Sequence, residues 1–193
     1  MEKRKLLIAT TNDGKFAEMK HFLNDLSFEL ISLKDLESQI PEPEETELTM
    51  AGNALLKARY YAGKSQILTL AEDSGLCIEA LKGWPGVRTA REARKASKEW
   101  ATILNAMKDV ADDARQAYSE SNIAIYNPDT QESFIATGVT HGQVLTAPRA
   151  EERGFGFDPV FYVEELKKTY SELSTPEKNA VSHRGKALIR AKY

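Results

Sequence analysis

The sequence is poor in cysteine and has no long apolar run, and each absence excludes a class of protein. Cys77 is the only cysteine among 193 residues, which rules out a disulfide within the chain and a zinc site made of cysteines. Its apolar neighbours, Leu76 and Ile78, favour a small core residue over a nucleophile. No apolar run approaches the roughly 20 residues of a membrane-spanning helix, and residues 1–5 lead into too short an apolar stretch for a secretory signal. We therefore expect a cytoplasmic protein with no membrane partner.

An excess of charge of one sign is also missing. The chain carries 26 Lys and Arg against 29 Asp and Glu, a net charge of −3, with the two signs interspersed. Duplex nucleic acid normally requires a basic face, so we expect no nucleic acid as partner. A small anionic ligand is compatible with this charge, because it needs only a few lysines in one place. The length fits a single domain, residues 1–193, or two small lobes that share a cleft.

The order of strand and helix patterns predicts an α/β fold with a mixed sheet. Short apolar runs and alternating stretches predict strands at about 6–9, 29–32, 67–71, 76–80, 117–126 and 132–141. Helical spacing of apolar residues predicts helices directly after residue 14, at about 49–62 and at 98–110, the last with Ser97 as its N-cap. A capping box at residues 174–177 and a possible cap at Ser182 predict two further helices near the end of the sequence.

The loop between the first predicted strand and helix is a weak candidate for binding phosphate. A helix N-terminus presents backbone N–H groups and a partial positive charge to an anion, and Lys15 adds a full charge. The glycine spacing of a Walker A loop is absent, and an isolated loop of this kind is more often an ordinary turn. The loop consists of Thr10, Thr11, Asn12, Asp13, Gly14 and Lys15.

Two acidic segments are candidates for binding a metal ion. Glu72 and Asp73 directly follow the predicted strand 67–71, and ligand crevices in α/β sheets form at strand ends. Hard carboxylate oxygens in such a place suit Mg²⁺. Adjacent strand residues point in opposite directions, so we expect two roles rather than one. A hydrogen-bonded turn explains this pair equally well, and a solvated surface loop is the simpler interpretation of Glu44 and Glu45.

A segment of aromatics and glycines, and a later cluster of donors, are candidates for binding a flat ring. Glycine lets the backbone approach a ligand closely, and an aromatic ring beside a carboxylate can stack on a base and bond its edge. An aromatic core plug at a tight turn and a surface histidine are the alternatives. The residues concerned are Phe155, Gly156, Phe157, Asp158, Lys178, His183 and Arg184.

Together these segments resemble the inosine triphosphate pyrophosphatase family, which removes non-standard purine nucleotides. Six blocks occur in the order of that family and cover roughly residues 6 to 190. The blocks are 9–15 with Glu18, 45–58 with its Glu45-Thr46, Asn53-Ala54 and Lys57-Ala58 pairs, 71–76, 85–87 with Arg91, 154–161, and 178–188.

The resemblance implies an elongated α/β protein with two lobes around a central nucleotide-binding cleft, usually a homodimer. It implies Mg²⁺-dependent hydrolysis of ITP, dITP or XTP to the nucleoside monophosphate and pyrophosphate. The implied metal ligands are Glu45, Glu72 and Asp73, and the implied catalytic residues are Asp73, as the base that activates water, and Lys15. The implied substrate-binding residues are Thr10, Thr11, Asn12, Asp13, Gly14, Lys15, Lys57, Ser74, Phe155, Gly156, Phe157, Asp158, Lys178, His183 and Arg184.

The implied roles divide between the phosphates and the base. Lysines and the first loop would hold the triphosphate, and Phe155 would stack on the purine. Donors facing the 6-oxo group would be left unpaired by the amino group of adenine, which is the expected source of discrimination. The residues that would read the base edge are Asp158, Lys178, His183 and Arg184.

The chain departs from the pattern of the family at several positions. Gly52 stands where many relatives have glutamate, Glu47 replaces a common glycine, and Glu72 replaces the aspartate of many bacterial relatives. Arg88, Thr89 and Arg153 are further departures.

Two other hypotheses are compatible with the same fold. One is a catalytically silent nucleotide-binding or regulatory protein, which the loss of Asp73 or Lys15 would have favoured. The other is an enzyme for pyrimidine or modified nucleotides, which would lack the block Ser182-His183-Arg184.

Overall fold

A mixed seven-stranded sheet organises the chain in the computed structural model, which describes residues 3–95 and 97–192. The strand order across the sheet is β2-β1-β3-β4-β5-β6-β7. β1 runs parallel to β2 and β3, whereas β6 pairs antiparallel with β5 and β7. The predicted α/β fold with a mixed sheet is confirmed. The strands are β1 (Arg4–Ala9), β2 (Phe28–Ser32), β3 (Leu68–Ile78), β4 (Gln116–Tyr126), β5 (Ser133–Val144), β6 (Phe161–Val163) and β7 (Lys168–Thr169).

Side-chain caps start three of the helices. The Asn12 side chain accepts the N–H of Lys15 at the start of α1, and Thr49 accepts the N–H of Gly52 at the start of α2. The predicted capping box before α5 is confirmed. No helix within residues 3–95 and 97–192 is long and apolar enough to cross a membrane. The α-helices in these ranges are α1 (Asp13–Leu23), α2 (Met50–Ser65), α3 (Thr89–Ala93), α4 (Glu99–Ala106), α5 (Thr175–Val181) and α6 (His183–Lys192).

Two local predictions were wrong. β3 continues through residues 72–75 without a break, so the two adjacent acidic residues lie inside a strand rather than after one. Strands normally disfavour aspartate, but here each carboxylate has a lysine partner, and tertiary pairing overrides the local preference. Ser97 is not an N-cap, because α4 begins at Glu99 after Lys98, and the helix ends at Ala106 rather than at residue 110.

The chain divides into two compact units. The first unit comprises Met1–Asp73, Ser121–Gly138 and Gly185–Tyr193, and the second comprises Ser74–Glu120 and Val139–Arg184. The assignment of residues 1–193 to a single two-lobed domain stays a prediction.

The sheet in the first unit has a separate apolar core on each face. One core packs against α1 and α6, and we call this side the α1/α6 face; the other packs against α2, and we call it the α2 face. Alternation along the strands assigns neighbouring residues to opposite faces. The α1/α6 face includes Leu6, Ile8, Met19, Leu23, Leu70, Ile123, Ala187 and Leu188, and the α2 face includes Leu7, Ala9, Ala54, Ala58, Tyr61, Ala71 and Ala124.

The second unit has one core, in which α4 packs against the ends of the long strands and against β6. Arg115 is buried beside this core, and its guanidinium donates to the carbonyl oxygens of Met107, Val110, Val144 and Leu145 at 2.7–3.2 Å. These bonds satisfy a buried charge with backbone acceptors and hold the segment after α4 against the end of β5.

Candidate active site

The first strand ends beside the two acidic residues of β3. The register pairs Ala9 with Ala71, so β1 stops where the acidic pair begins. The loop that follows is ordered by its own side chains: Thr10 Oγ1 accepts the N–H of Asn12 at 3.2 Å, and Asn12 Oδ1 accepts the N–H of Lys15 at 3.0 Å. The predicted phosphate loop therefore lies at the carboxyl end of a parallel strand, where ligand sites of α/β proteins form.

The strand sends its two carboxylates to opposite faces. Leu70 belongs to the α1/α6 face and Ala71 to the α2 face, so alternation places Glu72 on the first and Asp73 on the second. The structure agrees, because the partners of the two carboxylates come from α1 and α2 respectively. The expectation of two directions for this pair is confirmed.

Glu72 is held from two sides on the α1/α6 face. Lys15 Nζ lies 3.1 Å from Glu72 Oε2, and the hydroxyl of Ser121 on β4 donates to Glu72 Oε1 at 2.6 Å. The Glu72 side chain is 0% exposed. A fully buried carboxylate is tolerated when it is paired and hydrogen-bonded, as it is here.

Asp73 shares a lysine with Glu45 on the α2 face. Lys57 Nζ donates to Asp73 Oδ1 at 3.0 Å and to Glu45 Oε1 at 2.9 Å. The Asp73 and Lys57 side chains are buried, whereas the Glu45 side chain is 31% exposed. Two segments that are distant in the sequence are therefore joined by one cation.

Burial and charge act in opposite directions on this pair. Burial raises the pKa of the Asp73 carboxyl above its usual range, and the neighbouring Lys57 only partly offsets that rise. Burial alone would lower the pKa of the Lys57 ammonium, but the carboxylates of Asp73 and Glu45 outweigh it and the pKa is raised. A carboxylate with a raised pKa is a better proton acceptor than an ordinary aspartate.

The acidic loop is tied to α2 by Asn53. The Oδ1 atom of Asn53 accepts the N–H of Glu47 at 3.0 Å, one turn before Lys57 reaches Glu45 on the same helix face. A Cβ atom on Gly52 would lie 2.8 Å from the Cβ atom of Glu47, which is closer than side chains pack. The two departures from the family pattern at positions 47 and 52 are therefore coupled, because the glycine makes room for the glutamate.

The three predicted metal ligands are only partly brought together. Within residues 3–95 and 97–192, no group of three or more His, Cys, Asp or Glu side chains is assembled that could hold a metal ion. Glu45 and Asp73 converge on one lysine, and Glu72 lies on the other face of β3. Asp73 Oδ2 is buried and has no hydrogen-bond partner in the part of the chain that the structure describes. A buried carboxylate oxygen is a hard ligand of the kind that Mg²⁺ prefers, and the Glu45 carboxylate contacts the same lysine as Asp73.

The second unit holds a similar ion pair in an aromatic setting. Lys178 Nζ donates to Asp158 Oδ2 at 2.6 Å, and the same oxygen accepts the N–H of Phe155 at 3.0 Å. The turn depends on Gly154, which has φ +76° and whose added Cβ would lie 2.5 Å from Asp158 Oδ2. The Lys178 ammonium also lies 4.5 Å from the centroid of the Phe155 ring.

The remaining predicted donors of this unit surround the same aromatic residues. The His183 ring stacks on Tyr170 with centroids 5.9 Å apart, and its Nδ1 atom lies 3.4 Å from the Tyr170 hydroxyl. The Arg184 guanidinium carbon lies 5.7 Å from the centroid of the Phe155 ring. Burial raises the pKa of the Tyr170 hydroxyl, which therefore stays protonated and can donate.

The other predicted binding residues have less distinctive surroundings. Asp13 is exposed and pairs with Lys34 at 2.6 Å, and Thr11 is exposed beside it. Phe157 packs against the core of the second unit, as the alternative interpretation proposed. Gly14, Gly156 and Ser74 are half-buried, and their roles stay predictions.

Sequence reasoning missed Ser121 altogether. It lies 49 residues from its partner Glu72 and belongs to no motif. The available signal was weak: Ser121 and Asn122 end a run of four polar residues in the predicted strand, and a polar residue in a central strand calls for a buried partner.

The chain is similar in sequence and in structure to known proteins. A family model described as the Ham1 family matches residues 6–192. The dITP/XTP pyrophosphatase of Mannheimia succiniciproducens is 41% identical over 192 residues, which cover 96% of this chain and 95% of that protein. The protein of the same name from Haemophilus influenzae is 42% identical over 190 residues, 96% of each chain. A HAM1 protein structure from Coxiella burnetii superposes with a TM-score of 0.87 at 36% identity and covers 97% of this chain and 96% of that one.

Proposed function

Because this chain belongs to the Ham1 family, we propose that it hydrolyses non-standard purine nucleoside triphosphates such as ITP, dITP and XTP. The products are the nucleoside monophosphate and pyrophosphate. The observation that carries the proposal is the trio of Asp73, Lys57 and Glu45, in which the buried Asp73 Oδ2 has no hydrogen-bond partner among the described residues. Two relatives that share about 40% of their residues with this chain carry the name dITP/XTP pyrophosphatase, which supports the same substrate class.

Asp73 acts as the base in this proposal. Its carboxylate takes a proton from a water molecule as the water oxygen attacks the α-phosphorus, and the bond from the α-phosphorus to the bridging oxygen of the pyrophosphate breaks. The pKa of this carboxyl is raised by burial, which brings the base closer to the pH at which it works. Lys57 keeps the Asp73 carboxylate in place through its contact with Oδ1, so the other oxygen is left for the water or for a cation.

The lysines and the first loop bind the triphosphate. Lys15 lies at the start of α1, where the helix N-terminus adds partial positive charge, and Thr10 and Asn12 shape the loop before it. Glu45 and Asp73 would hold Mg²⁺ on the α2 face, and Glu72, which faces α1, would contribute a separate ligand on the α1/α6 face. A bound Mg²⁺ supplies charge neutralisation to the phosphate oxygens.

The purine base of the nucleotide is bound by the residues around Phe155. The ring of Phe155 stacks on the purine, and Lys178 and Arg184 supply cationic donors 4.5 Å and 5.7 Å from the centroid of that ring. Donors suit the 6-oxo group of hypoxanthine and xanthine and are left unpaired by the 6-amino group of adenine. This difference favours ITP and XTP over ATP.

The product of the reaction tests the proposal directly. We expect the purified protein with Mg²⁺ to convert ITP to IMP and pyrophosphate, and to do so far faster than it hydrolyses ATP, whose 6-amino group would leave the donors unpaired. Chromatography of the nucleotides and separate assays for pyrophosphate and orthophosphate give both answers. Release of orthophosphate with IDP would refute attack at the α-phosphorus. Equal rates on ATP would refute the proposed role of the donors, and binding without turnover would support the silent-protein alternative.

A homodimer and a cytoplasmic location belong to the same proposal. The homodimer is implied by the resemblance to the family, and the cytoplasmic location is the expectation drawn from the sequence composition. Light scattering of the purified protein tests the dimer, and fractionation of cells tests the location.

A further inference from the structure

Ser121 is a buried hydroxyl on the α1/α6 face of the sheet, next to the apolar core of that face and to the buried Glu72 carboxylate. Its strand neighbour Ile123 belongs to the core of the α1/α6 face, and Ser121 itself is 0% exposed. Within residues 3–95 and 97–192, the hydrogen bond to Glu72 Oε1 is the one that its hydroxyl donates. A hydroxyl at such a position is costly unless it has a partner, so the bond to the carboxylate accounts for its presence.

The bond has the geometry of a strong, charge-assisted contact. An O–H···O⁻ hydrogen bond of 2.6 Å lies in the short range typical of ionised acceptors. The other oxygen of the same carboxylate lies 3.1 Å from Lys15 Nζ. Glu72 is thus contacted at one oxygen by a fixed group on a central strand and at the other by a flexible lysine from the first loop and helix.

Glutamate needs this support more than aspartate does. Its side chain has one more rotatable bond than aspartate, and orienting it costs correspondingly more conformational freedom. The serine lies on β4, which is hydrogen-bonded to β3 in the sheet. The position of its hydroxyl relative to Glu72 on β3 is therefore fixed by the sheet. Groups that orient a reacting or ligand-binding side chain are effective when they lie on rigid elements.

We propose that Ser121 is a positioning residue that fixes the Glu72 carboxylate, and through it places Lys15 for the triphosphate and Glu72 for a divalent cation. The inference rests on the proposed function, because it assigns Ser121 to the same site. It predicts that loss of the hydroxyl weakens binding of the metal–nucleotide complex rather than only the stability of the fold.

Four variants and one control separate these roles. The variants are Ser121→Ala, Ser121→Cys, Glu72→Ala and the double variant Ser121→Ala with Glu72→Ala. The control is Ser119→Ala, which removes another buried serine from the same strand. The measurements are KM and kcat for ITP at varied Mg²⁺, the melting temperature, and calorimetric binding of Mn²⁺ with the α,β-methylene analogue of ITP, which does not depend on turnover.

We expect Ser121→Ala to weaken the binding of Mn²⁺ and the analogue by roughly tenfold and to raise the Mg²⁺ requirement by a similar factor. Ser121→Cys should fall between serine and alanine, because a thiol is a weaker donor. In the Glu72→Ala background the serine substitution should change binding less than about twofold, since residues that act as a unit are not additive. Ser119→Ala should bind like the unmodified protein.

Two results would overturn the inference while leaving the proposed function intact. One is unchanged binding and Mg²⁺ requirement in Ser121→Ala at temperatures well below its melting point, which would assign the serine to the fold alone. The other is an equal loss from Ser121→Ala with and without Glu72, which would show that it does not act through the carboxylate. Failure of the unmodified protein to release pyrophosphate from ITP would instead overturn the proposed function, and the inference with it.

Discussion

Each unit contains a buried lysine–aspartate pair, yet the two pairs leave their aspartates in different states. In the second unit, Asp158 Oδ2 accepts from both Lys178 and the backbone of Phe155. In the first unit, Lys57 contacts one oxygen of Asp73, and the other is buried with no hydrogen-bond partner among residues 3–95 and 97–192. A buried lysine–aspartate pair can therefore serve two roles. The Asp158 pair, whose Oδ2 atom accepts two hydrogen bonds, suits recognition, and the Asp73 pair, which leaves Oδ2 for a reactant, suits proton transfer.

Removal of each carboxylate charge gives the largest expected contrast. We expect Asp73→Asn to lower kcat for ITP by roughly 10²–10⁴-fold while ITP still binds, because the variant keeps the shape of the base but not its basicity. Asp158→Asn should mainly raise KM. Steady-state kinetics and calorimetry of the same two preparations make the comparison. An active Asp73→Asn variant would remove Asp73 from the role of base.

Removal of the lysines tests the energy of the two pairs. Lys57→Met leaves the buried carboxylate of Asp73 without its cation, and we expect the free energy of unfolding to fall by about 3 kcal/mol. Urea denaturation at neutral pH measures this, with Lys178→Met as the matched variant in the second unit. If Lys57→Met were as stable as the unmodified protein, the ion pair on the α2 face would contribute little to the fold.

Removal of the aromatic ring tests recognition separately. Phe155→Ala should raise KM for ITP by roughly tenfold or more, because stacking on a base is worth about 1–3 kcal/mol, and kcat should change less. Phe157→Ala is the informative control, since Phe157 packs against the core and its loss should lower the melting temperature instead. If Phe157→Ala, rather than Phe155→Ala, selectively weakened the binding of ITP, Phe157 would be the ring that stacks on the purine.

Activity should fall at low pH because Asp73, the proposed base in the first unit, becomes protonated. The pKa of the Asp73 carboxyl is raised by burial, and the base works only when deprotonated, so kcat/KM should fall about tenfold per pH unit below that pKa. Lys57 lowers the pKa of Asp73, so Lys57→Met should move the acid limb of the profile to higher pH. A limb that stays in place in this variant would show that another group controls it.

Removal of a helix cap should have the smallest effect on stability, and one cap in each unit allows a comparison of the two units. Thr49→Ala removes the cap of α2 in the first unit, and Ser174→Ala removes the cap of α5 in the second. Each should lower stability by about 1 kcal/mol without a change in kcat. Thermal melting and ITP turnover check both statements, and a loss of turnover in Thr49→Ala would show that the acidic loop depends on this cap.

The fold class followed from local patterns in the sequence, and so did the segments that carry the candidate site. The start of α1, the hairpin of β4 and β5 and the capping box before α5 depend on neighbouring residues, and their signals are local. The interior position of Glu72 and Asp73 was not predictable in this way. Whether a carboxylate ends a strand or lies inside it depends on whether a distant side chain neutralises it, and here Lys15 and Lys57 do so.

The long-range partners escaped prediction for the same reason. Ser121 reaches Glu72 only because β4 is placed beside β3, which no spacing within the sequence states. The coupling between Glu47 and Gly52 likewise appears only when the loop folds back onto α2. Sequence patterns therefore identify reactive residue types, and the sheet order decides which of them meet.

The alternation along β3 also limits how this chain can change length. A slip of one residue in the pairing with β1 would turn Glu72 toward α2 and Asp73 toward α1, so that each acid would face the other's lysine. A single insertion or deletion inside residues 68–73 therefore exchanges the faces on which the two carboxylates lie, although the composition of the strand hardly changes. The same change at the turn after α2, where Gln66 takes a left-handed conformation, lies before the paired segment and leaves that polarity unchanged.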